Sequence, residues 1–412
     1  QYLRGEHTLL IPDDQANTIC DTLASSVNPT SAMQRRLALN TWQQKLIQAM
    51  RGFKPRVTQI NLSVFGFSRG AAEARVFVNW LMEVCDYKDG GWSFAGMALN
   101  VQFLGIFDTV ASVGAANLLD EGTFAGHQGW ADNTLQVHPA VRQCVHMVAG
   151  HELRACFPLD SVRIKGGYPA NVKEVVYPGS HSDVGGGYAP GDLGAGPTPN
   201  DQLCILPGRD MYEAARKAGV PLLEFNVELK KKNPDVHTSL IPSESLLKVY
   251  NAYLKACGVT NGPVESMLRQ HMALMHGYRY KWRREFTQRR MAYVNAVKPE
   301  HKDYLLGVQQ RFIRSLGLGT VNMLQSNELP NTVAERFEAK KKTAGLQMKR
   351  HEQRAVDVAK AISPMHISAH IDNLFDWFVH DSLAGFIGMG MDEYQFNRMG
   401  LAKFRTVFKG ND

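Results

Sequence analysis

The sequence predicts an α/β protein: a mostly parallel sheet in the first half, followed by a mainly helical C-terminal addition. Three observations carry this. Short apolar runs at 57–65, 101–107 and 172–177 read as strands. Helix-forming segments separate them at the spacing of strand–helix–strand units. Beyond about residue 235 strand-like runs disappear, and long charged helix-forming segments occupy 264–295, 301–316 and 331–363. We therefore expect two parts, 1–235 carrying the sheet and 236–412 as a helical addition that serves membrane targeting or acts as a lid.

In chain order, the first helix is expected from Ser31 to Met50, with Met33, Leu37, Leu39, Leu46 and Ile47 among polar neighbours, ended by the Gly-Phe-Lys-Pro break at 52–55. A strand over Val57–Phe65 comes next, then a helix from Gly70 to Cys85 rich in Ala, Val, Phe and Leu. Val101–Phe107 is a buried-type strand. After a glycine-spotted insertion a further helix is expected around Pro139–Phe157, and Val172–Tyr177 forms a third strand closed by Pro178 and Gly179.

Composition narrows the function classes. With 412 residues, 44% hydrophobic and 21% charged, the chain is globular and neither collagen-like nor disordered. No run approaches the roughly 20 apolar residues of a membrane-spanning helix. The excess of Lys and Arg over Asp and Glu, 46 against 39, gives a formal charge of +7. That favours anionic surfaces but is too small to imply nucleic acid. The six cysteines are scattered without a C-x-x-C pair, so no zinc site and no disulfide framework is expected, and buried free thiols in a reducing cytosol are. The chain opens Gln1-Tyr2-Leu3-Arg4 with no evident signal peptide. We expect synthesis in the cytoplasm and an N-terminal piece ahead of this numbering.

Gly66-Phe67-Ser68-Arg69-Gly70 is a G-x-S-x-G pentapeptide set between an apolar strand and a helix that opens Gly70-Ala71-Ala72. That is the strand–turn–helix setting of a nucleophile elbow, and it makes the predicted fold α/β-hydrolase-like. The serine occupies a sharp, strained turn, so the positions two away must lack bulk. The helix N-terminus favours a developing oxyanion, and the Arg69 backbone N–H is placed to donate to it. The plain alternative is that Ser68 merely caps the helix.

A nucleophilic serine needs an acid and then a histidine at later strand ends. Asp108 directly follows the strand ending at Phe107, and His181 follows the strand ending at Tyr177. In a parallel sheet these ends share one edge, so the three side chains can converge. Asp183 is a rival for the acid, although a short turn-forming role suits it better. His380, in Trp377-Phe378-Val379-His380-Asp381-Ser382, is a second candidate base. His151-Glu152 lacks the second histidine of a zinc motif, so no metal and no cofactor is expected. The Gly185-Gly186-Gly187 run lets the backbone pass close to the catalytic loop.

These residues resemble a family. Gly-Phe-Ser-Arg-Gly-Ala at 66–71, Phe-Leu-Gly-Ile-Phe-Asp-Thr-Val at 103–110, Gly-Ser-His-Ser-Asp-Val-Gly-Gly-Gly-Tyr at 179–188 and Val-His-Asp-Ser at 379–382 are similar to the α/β-hydrolase domain of the type VI secretion lipase effectors, first class. The 149–157 segment resembles a helix between that family's acid and histidine. The resemblance implies an antibacterial phospholipase with the triad Ser68, Asp108 and His181, secreted by a type VI system and acting on target-cell membrane from the periplasmic side. It also implies a phospholipid membrane, a secretion spike and an immunity protein as partners. One departure stands out: the family's opening strand and Asp-Gly-Thr turn have no counterpart in this chain, which leaves the second oxyanion donor unassigned.

The helical half interleaves basic and aromatic residues at Tyr278–Phe286, Arg289-Arg290, Lys340–Lys342 and Lys349-Arg350. Such a pattern suits an anionic membrane interface, and equally a solvated helix face. Gly385–Met391 is an apolar run that suits a lid, a lipid-facing loop or core. The main expectation is a serine phospholipase. The alternatives are an esterase or thioesterase on soluble acyl substrates, and a secretion-linked binding protein without catalysis. Nucleic-acid binding ranks last.

Overall fold

The computed structural model describes residues 30–52, 56–111, 135–154, 156–289, 299–362, 367–384, 387–388, 391–392 and 401–410. Helix α1 (Thr30–Met50) leads into strand β1 (Gln59–Phe67) and helix α2 (Arg69–Met82). A hairpin, β2 (Asp86–Lys88) and β3 (Gly91–Phe94), precedes the long strand β4 (Met97–Phe107). The main sheet is completed by β5 (Cys144–Ala149) and β7 (Val172–Tyr177), with a two-residue strand β6 (Leu159–Asp160) between them in sequence.

Strands β1, β4, β5 and β7 lie side by side in that order, all parallel, and β3 pairs antiparallel with the start of β4. The carboxyl ends of the four parallel strands therefore fall along one edge. A bulge interrupts the β1–β4 register: Leu62 pairs with Val101 and Ser63 with Phe103, so Gln102 is the extra residue. It switches the parity of β4. Leu99 and Val101 before it, and Leu104 and Ile106 after it, all reach the core beneath α2. Phe103 turns to the other face, where Met211 and Ala215 of helix α4 (Ile205–Lys217) cover the sheet.

Helix α2 lies close to the sheet because Ala71, Ala72 and Ala74 face inward. Its buried cation Arg75 donates to the backbone carbonyls of Leu135, Asp160 (2.9 Å) and Ser161 (3.2 Å), tying the helix to the β6 region. The helix expected at Pro139–Phe157 is not formed. Cys144–Ala149 is a central strand whose six residues are all buried. A strand covered on both faces carries a continuous apolar run, which periodicity alone does not separate from a buried helix. Residues 151–154 then continue as a loop beside the sheet edge.

The C-terminal half is helical as expected: α5 (Glu244–Ala256), α6 (Val264–Lys281), α7 (Pro299–Leu316), α8 (Pro330–Thr343), α9 (Arg350–Ile362) and α10 (Ala369–Trp377). The segment expected over 331–363 is two helices with a turn at Gly345, whose φ is +62°. These helices share a core with Leu153, Leu193 and Leu203 from the loops of the sheet half. The chain then returns: β10 (Val407–Phe408) pairs in parallel with β6. Two-residue strands β8 (Ile387–Gly388) and β9 (Met391–Asp392) pair with each other, while much of the 385–391 run expected as lid or core lies outside the described residues. Among the described residues no helix is long and apolar enough to cross a membrane.

Replacing Arg75 with Met leaves three buried carbonyls without their donor. We expect a loss of about 2–3 kcal/mol in denaturant unfolding; an unchanged midpoint would contradict the tie between α2 and β6.

Candidate active site

Ser68 sits between the last residue of β1 and the first of α2 with φ 61° and ψ −124°, a conformation rare for a residue with a side chain. The turn is held from both sides. The Ser68 N–H donates to the Phe107 carbonyl at 3.0 Å, and its carbonyl accepts from Ala71, Ala72 and Val110. The Ser68 side chain makes no capping hydrogen bond, so the helix-cap reading does not hold. A Cβ at Gly66 would collide with the Gly70 carbonyl oxygen and lie 2.8 Å from the Ala71 Cα, which explains the glycine at 66. Ser68 is half-buried, and the Arg69 N–H behind it meets no acceptor among the described residues.

Asp108 follows immediately at the end of the adjacent strand, with φ 40° and its N–H bound to the Met147 carbonyl at 2.7 Å. Its carboxylate is fully buried and held by donors from three other segments. The Ala149 N–H, at the end of β5, donates to Oδ1 at 2.9 Å. Arg405 donates through both terminal nitrogens, at 2.7 and 2.8 Å to the two oxygens. The Nδ1 of His181 lies 2.5 Å from Oδ2. Burial pushes the Asp108 carboxyl up, but the Arg405 charge and the His181 hydrogen bond outweigh it and hold the group well below the usual carboxylate range.

His181 opens a short helix, α3 (His181–Gly185), at the end of β7. Its ring lies between Phe67, 4.5 Å away between centroids, and Phe157, at 4.8 Å. An ionised carboxylate only accepts, so Nδ1 carries the proton and Nε2 keeps its lone pair. Burial lowers the His181 pKa, against the opposing pull of Asp108, and so favours the neutral ring. Gly185 lies under the Phe67 ring, where a Cβ would overlap it, so the glycine run does bring this backbone close to the elbow.

Buried polar groups fix the loops that carry these side chains. Glu152 accepts the His181 N–H at 3.2 Å, Ser382 Oγ at 3.0 Å and the Arg154 N–H and guanidinium. Burial opposes its ionisation, yet Arg154 brings it to about 2. His146 receives the Thr109 N–H at 3.0 Å on Nε2 and meets Glu174 at 2.8 Å through Nδ1, steadying the turn after Asp108. His151 accepts the Gly179 N–H and contacts the Tyr253 hydroxyl, which also lies 2.8 Å from His271.

Asp183 and His380, the two rival candidates, are paired with each other. The His380 Nδ1 is 2.5 Å from Asp183 Oδ1, and the His380 N–H donates to Oδ2 at 3.0 Å. The same Oδ2 accepts the N–H and hydroxyl of Ser180, the turn-forming role expected for this residue. His380 is fully buried and stacks on Tyr188 with centroids 3.8 Å apart. It thus forms a second His–Asp pair, distinct in its hydrogen bonds from Asp108–His181, and ties the helical half to the loop that carries His181. Arg405 and Glu152 carried no catalytic signal in the sequence. The first lies 297 residues from its partner carboxylate.

The basic and aromatic stretch after Tyr278 is engaged internally. Arg283 donates to the carbonyls of Met323, Tyr280 and Ser326, and Arg284 to those of Leu324, Gln325 and Ser326. Arg289 pairs with Asp372 and Asp376 and stacks on Trp282. These cations join helices and loops of the helical half; Arg290 lies outside the described residues. No cluster of His, Cys, Asp and Glu suited to a metal occurs among the described residues.

Residues 88–211, which include Asp108, His181 and Asp183, match the family model for the catalytic domain of Tle1-like phospholipase effectors of the type VI secretion system. A crystal structure of an uncharacterized protein from Pseudomonas aeruginosa shares the fold, with TM-score 0.67 at 24% identity; the match covers 97% of this chain and 66% of that one. This chain thus spans just under two thirds of that protein's length. A Tle1 effector bound to the VgrG spike of the type 6 secretion system aligns at 18% identity over 92% of this chain and 75% of that one, with TM-score 0.32, too low to bear on the fold. No curated protein matches the chain.

Two outcomes test this geometry. His181→Gln should slow modification of Ser68 by a fluorophosphonate by at least about 10³-fold, whereas His380→Gln, at matched folding, should leave far more of the rate. Equal losses would contradict the separation of the two pairs. With His181 as the base, only the neutral imidazole is competent, so reactivity should be present above the His181 pKa and be lost as pH falls through it. Because burial lowers that value, the acid limb of the modification rate should fall below the ordinary histidine value of about 6.5; a limb above it would contradict the assignment.

Proposed function

We propose that the protein is a serine-dependent phospholipase that cleaves acyl esters of glycerophospholipids. Ser68 is the nucleophile, His181 the general base and acid, and Asp108 the carboxylate that orients and compensates the imidazole. The observation that carries the reading is the buried Asp108–His181 contact of 2.5 Å at the strand ends beside a serine with φ 61°. The match of residues 88–211 to a phospholipase effector family supports the choice of substrate class.

In this reading Ser68 Oγ attacks the ester carbonyl while its proton passes to His181 Nε2. The carbonyl oxygen gathers negative charge at the N-terminus of α2, where the Arg69 N–H donates. Collapse of the tetrahedral intermediate breaks the ester C–O bond, and His181 returns the proton to the departing lysophospholipid. Water then gives a proton to His181 and attacks the acyl-Ser68, releasing fatty acid and the free serine. Asp108 stays ionised throughout. The sheet half holds this chemistry, and the helical half braces it through His380 and Ser382.

The same family likeness supports a role as an antibacterial effector, delivered through a secretion spike and acting on the target-cell membrane from its periplasmic side, with an immunity protein in the producer. Fatty-acid release from phospholipid vesicles by the intact protein, abolished by Ser68→Ala at matched folding, is the expected result. Turnover confined to short soluble acyl esters would shift the substrate to small molecules. Activity that survives Ser68→Ala would overturn the reading.

A further inference from the structure

The residue that completes the acid comes from the far end of the chain. Arg405 lies in the segment that returns from the helical half, two residues before β10 pairs with β6. Both its side chain and that of Asp108 are fully buried. Four donated bonds surround the guanidinium: two to the Asp108 oxygens, one from Nε to the Phe157 carbonyl at 2.8 Å, and one to the Ala149 carbonyl at 3.3 Å. Its partners are therefore the acid, the strand end beside the acid, and the residue whose ring packs on His181.

We propose that Arg405 is a positioning residue of the Asp108–His181 pair: its planar fork fixes the carboxylate's orientation and neutralises part of its charge. The proposal rests on the hydrolase reading for its catalytic meaning, but its physical content stands on the fork itself. A bidentate guanidinium sets both the distance and the plane of a carboxylate, which a single point charge does not. With both oxygens engaged, Oδ2 is directed at His181 Nδ1, and the imidazole is turned between Phe67 and Phe157.

The charge has a second consequence. Asp108 faces Arg405 and His181; His181 faces Asp108, with Glu152 and Arg154 also acting on it. Remove Arg405, and a buried carboxylate has only the Ala149 N–H and the imidazole to offset its charge. The pair then takes up a proton more readily, whichever of its members carries it. A neutral, competent His181 would be confined to higher pH. Arg405 in this way keeps the base free of its proton near neutrality, and the tail of the chain is a condition of the site's activity.

The test is a titration of His181 by NMR in histidine-labelled full-length protein, with its signal assigned through His181→Gln, in the native sequence, Arg405→Met and Arg405→Lys. Ester turnover is measured on the same samples. In Arg405→Met the midpoint should rise by about 1–3 pH units, and kcat should fall by on the order of 10²-fold with little change in KM. Arg405→Lys, which keeps the charge but not the fork, should hold a near-native midpoint and still lose kcat. A folded Arg405→Met with an unmoved midpoint would overturn the proposal. If Arg405→Met does not fold, a native kcat in Arg405→Lys would overturn it. Should the native protein show no Ser68-dependent turnover while the midpoint still moves, the hydrolase reading fails and the control of the pair by Arg405 stands.

Discussion

A carboxylate removed from water is the constraint around which this protein is arranged. Taking such an ion into a protein interior costs several kcal/mol unless charge and hydrogen bonds replace its hydration. At Asp108 the replacement comes from three separate pieces of chain: the Ala149 amide at the end of β5, His181 after β7, and Arg405 from the C-terminal segment. None of these donors is local to the aspartate. The sheet order, the β7 loop and the return of the chain to β6 must all be in place before the carboxylate is satisfied. The buried charge is thus also a condition on the fold.

The surroundings repeat the same logic with different partners. Charged groups that are buried near the site are paired, Glu152 with Arg154 and Asp108 with Arg405. Histidines buried without a charge partner are kept neutral: burial brings His271 down to about 4 and holds His151 well below its ordinary value. A neutral imidazole can accept from one side and donate on the other, and His151 uses this to link the Gly179 turn to Tyr253 of α5. His380 does comparable work through Asp183. The loop that presents His181 is consequently pinned by residues of the helical half, and the two halves of the sequence meet at the Asp108–His181 pair.

Much of this is legible in the residues, and for a physical reason. In a parallel sheet, side chains at strand ends are brought to one edge by topology alone, so three apolar runs and the residues just past their ends are enough to place Ser68, Asp108 and His181 along that edge. The glycines at 66 and 185 answer to crowding. The central strand β5 reads as helix in the sequence because Cys144–Ala149 is buried on both faces and carries no period of two. The bulge at Gln102 leaves no local mark. Arg405 is invisible because its role depends on a contact across 297 residues, in a segment with no catalytic pattern. The Arg283–Arg289 cluster reads as a surface feature for a related reason: apart from the Tyr280 carbonyl, its partners lie some 40 to 90 residues away.

The central claim is that Ser68 is a nucleophile activated by the buried pair. Its most direct measurement is the site of covalent modification: the intact protein treated with a long-chain fluorophosphonate, digested and mapped by mass spectrometry. The account predicts a single stoichiometric adduct on Ser68, lost when the protein is unfolded beforehand. An adduct on a different serine, or a folded protein that takes up no label at neutral pH, would contradict it.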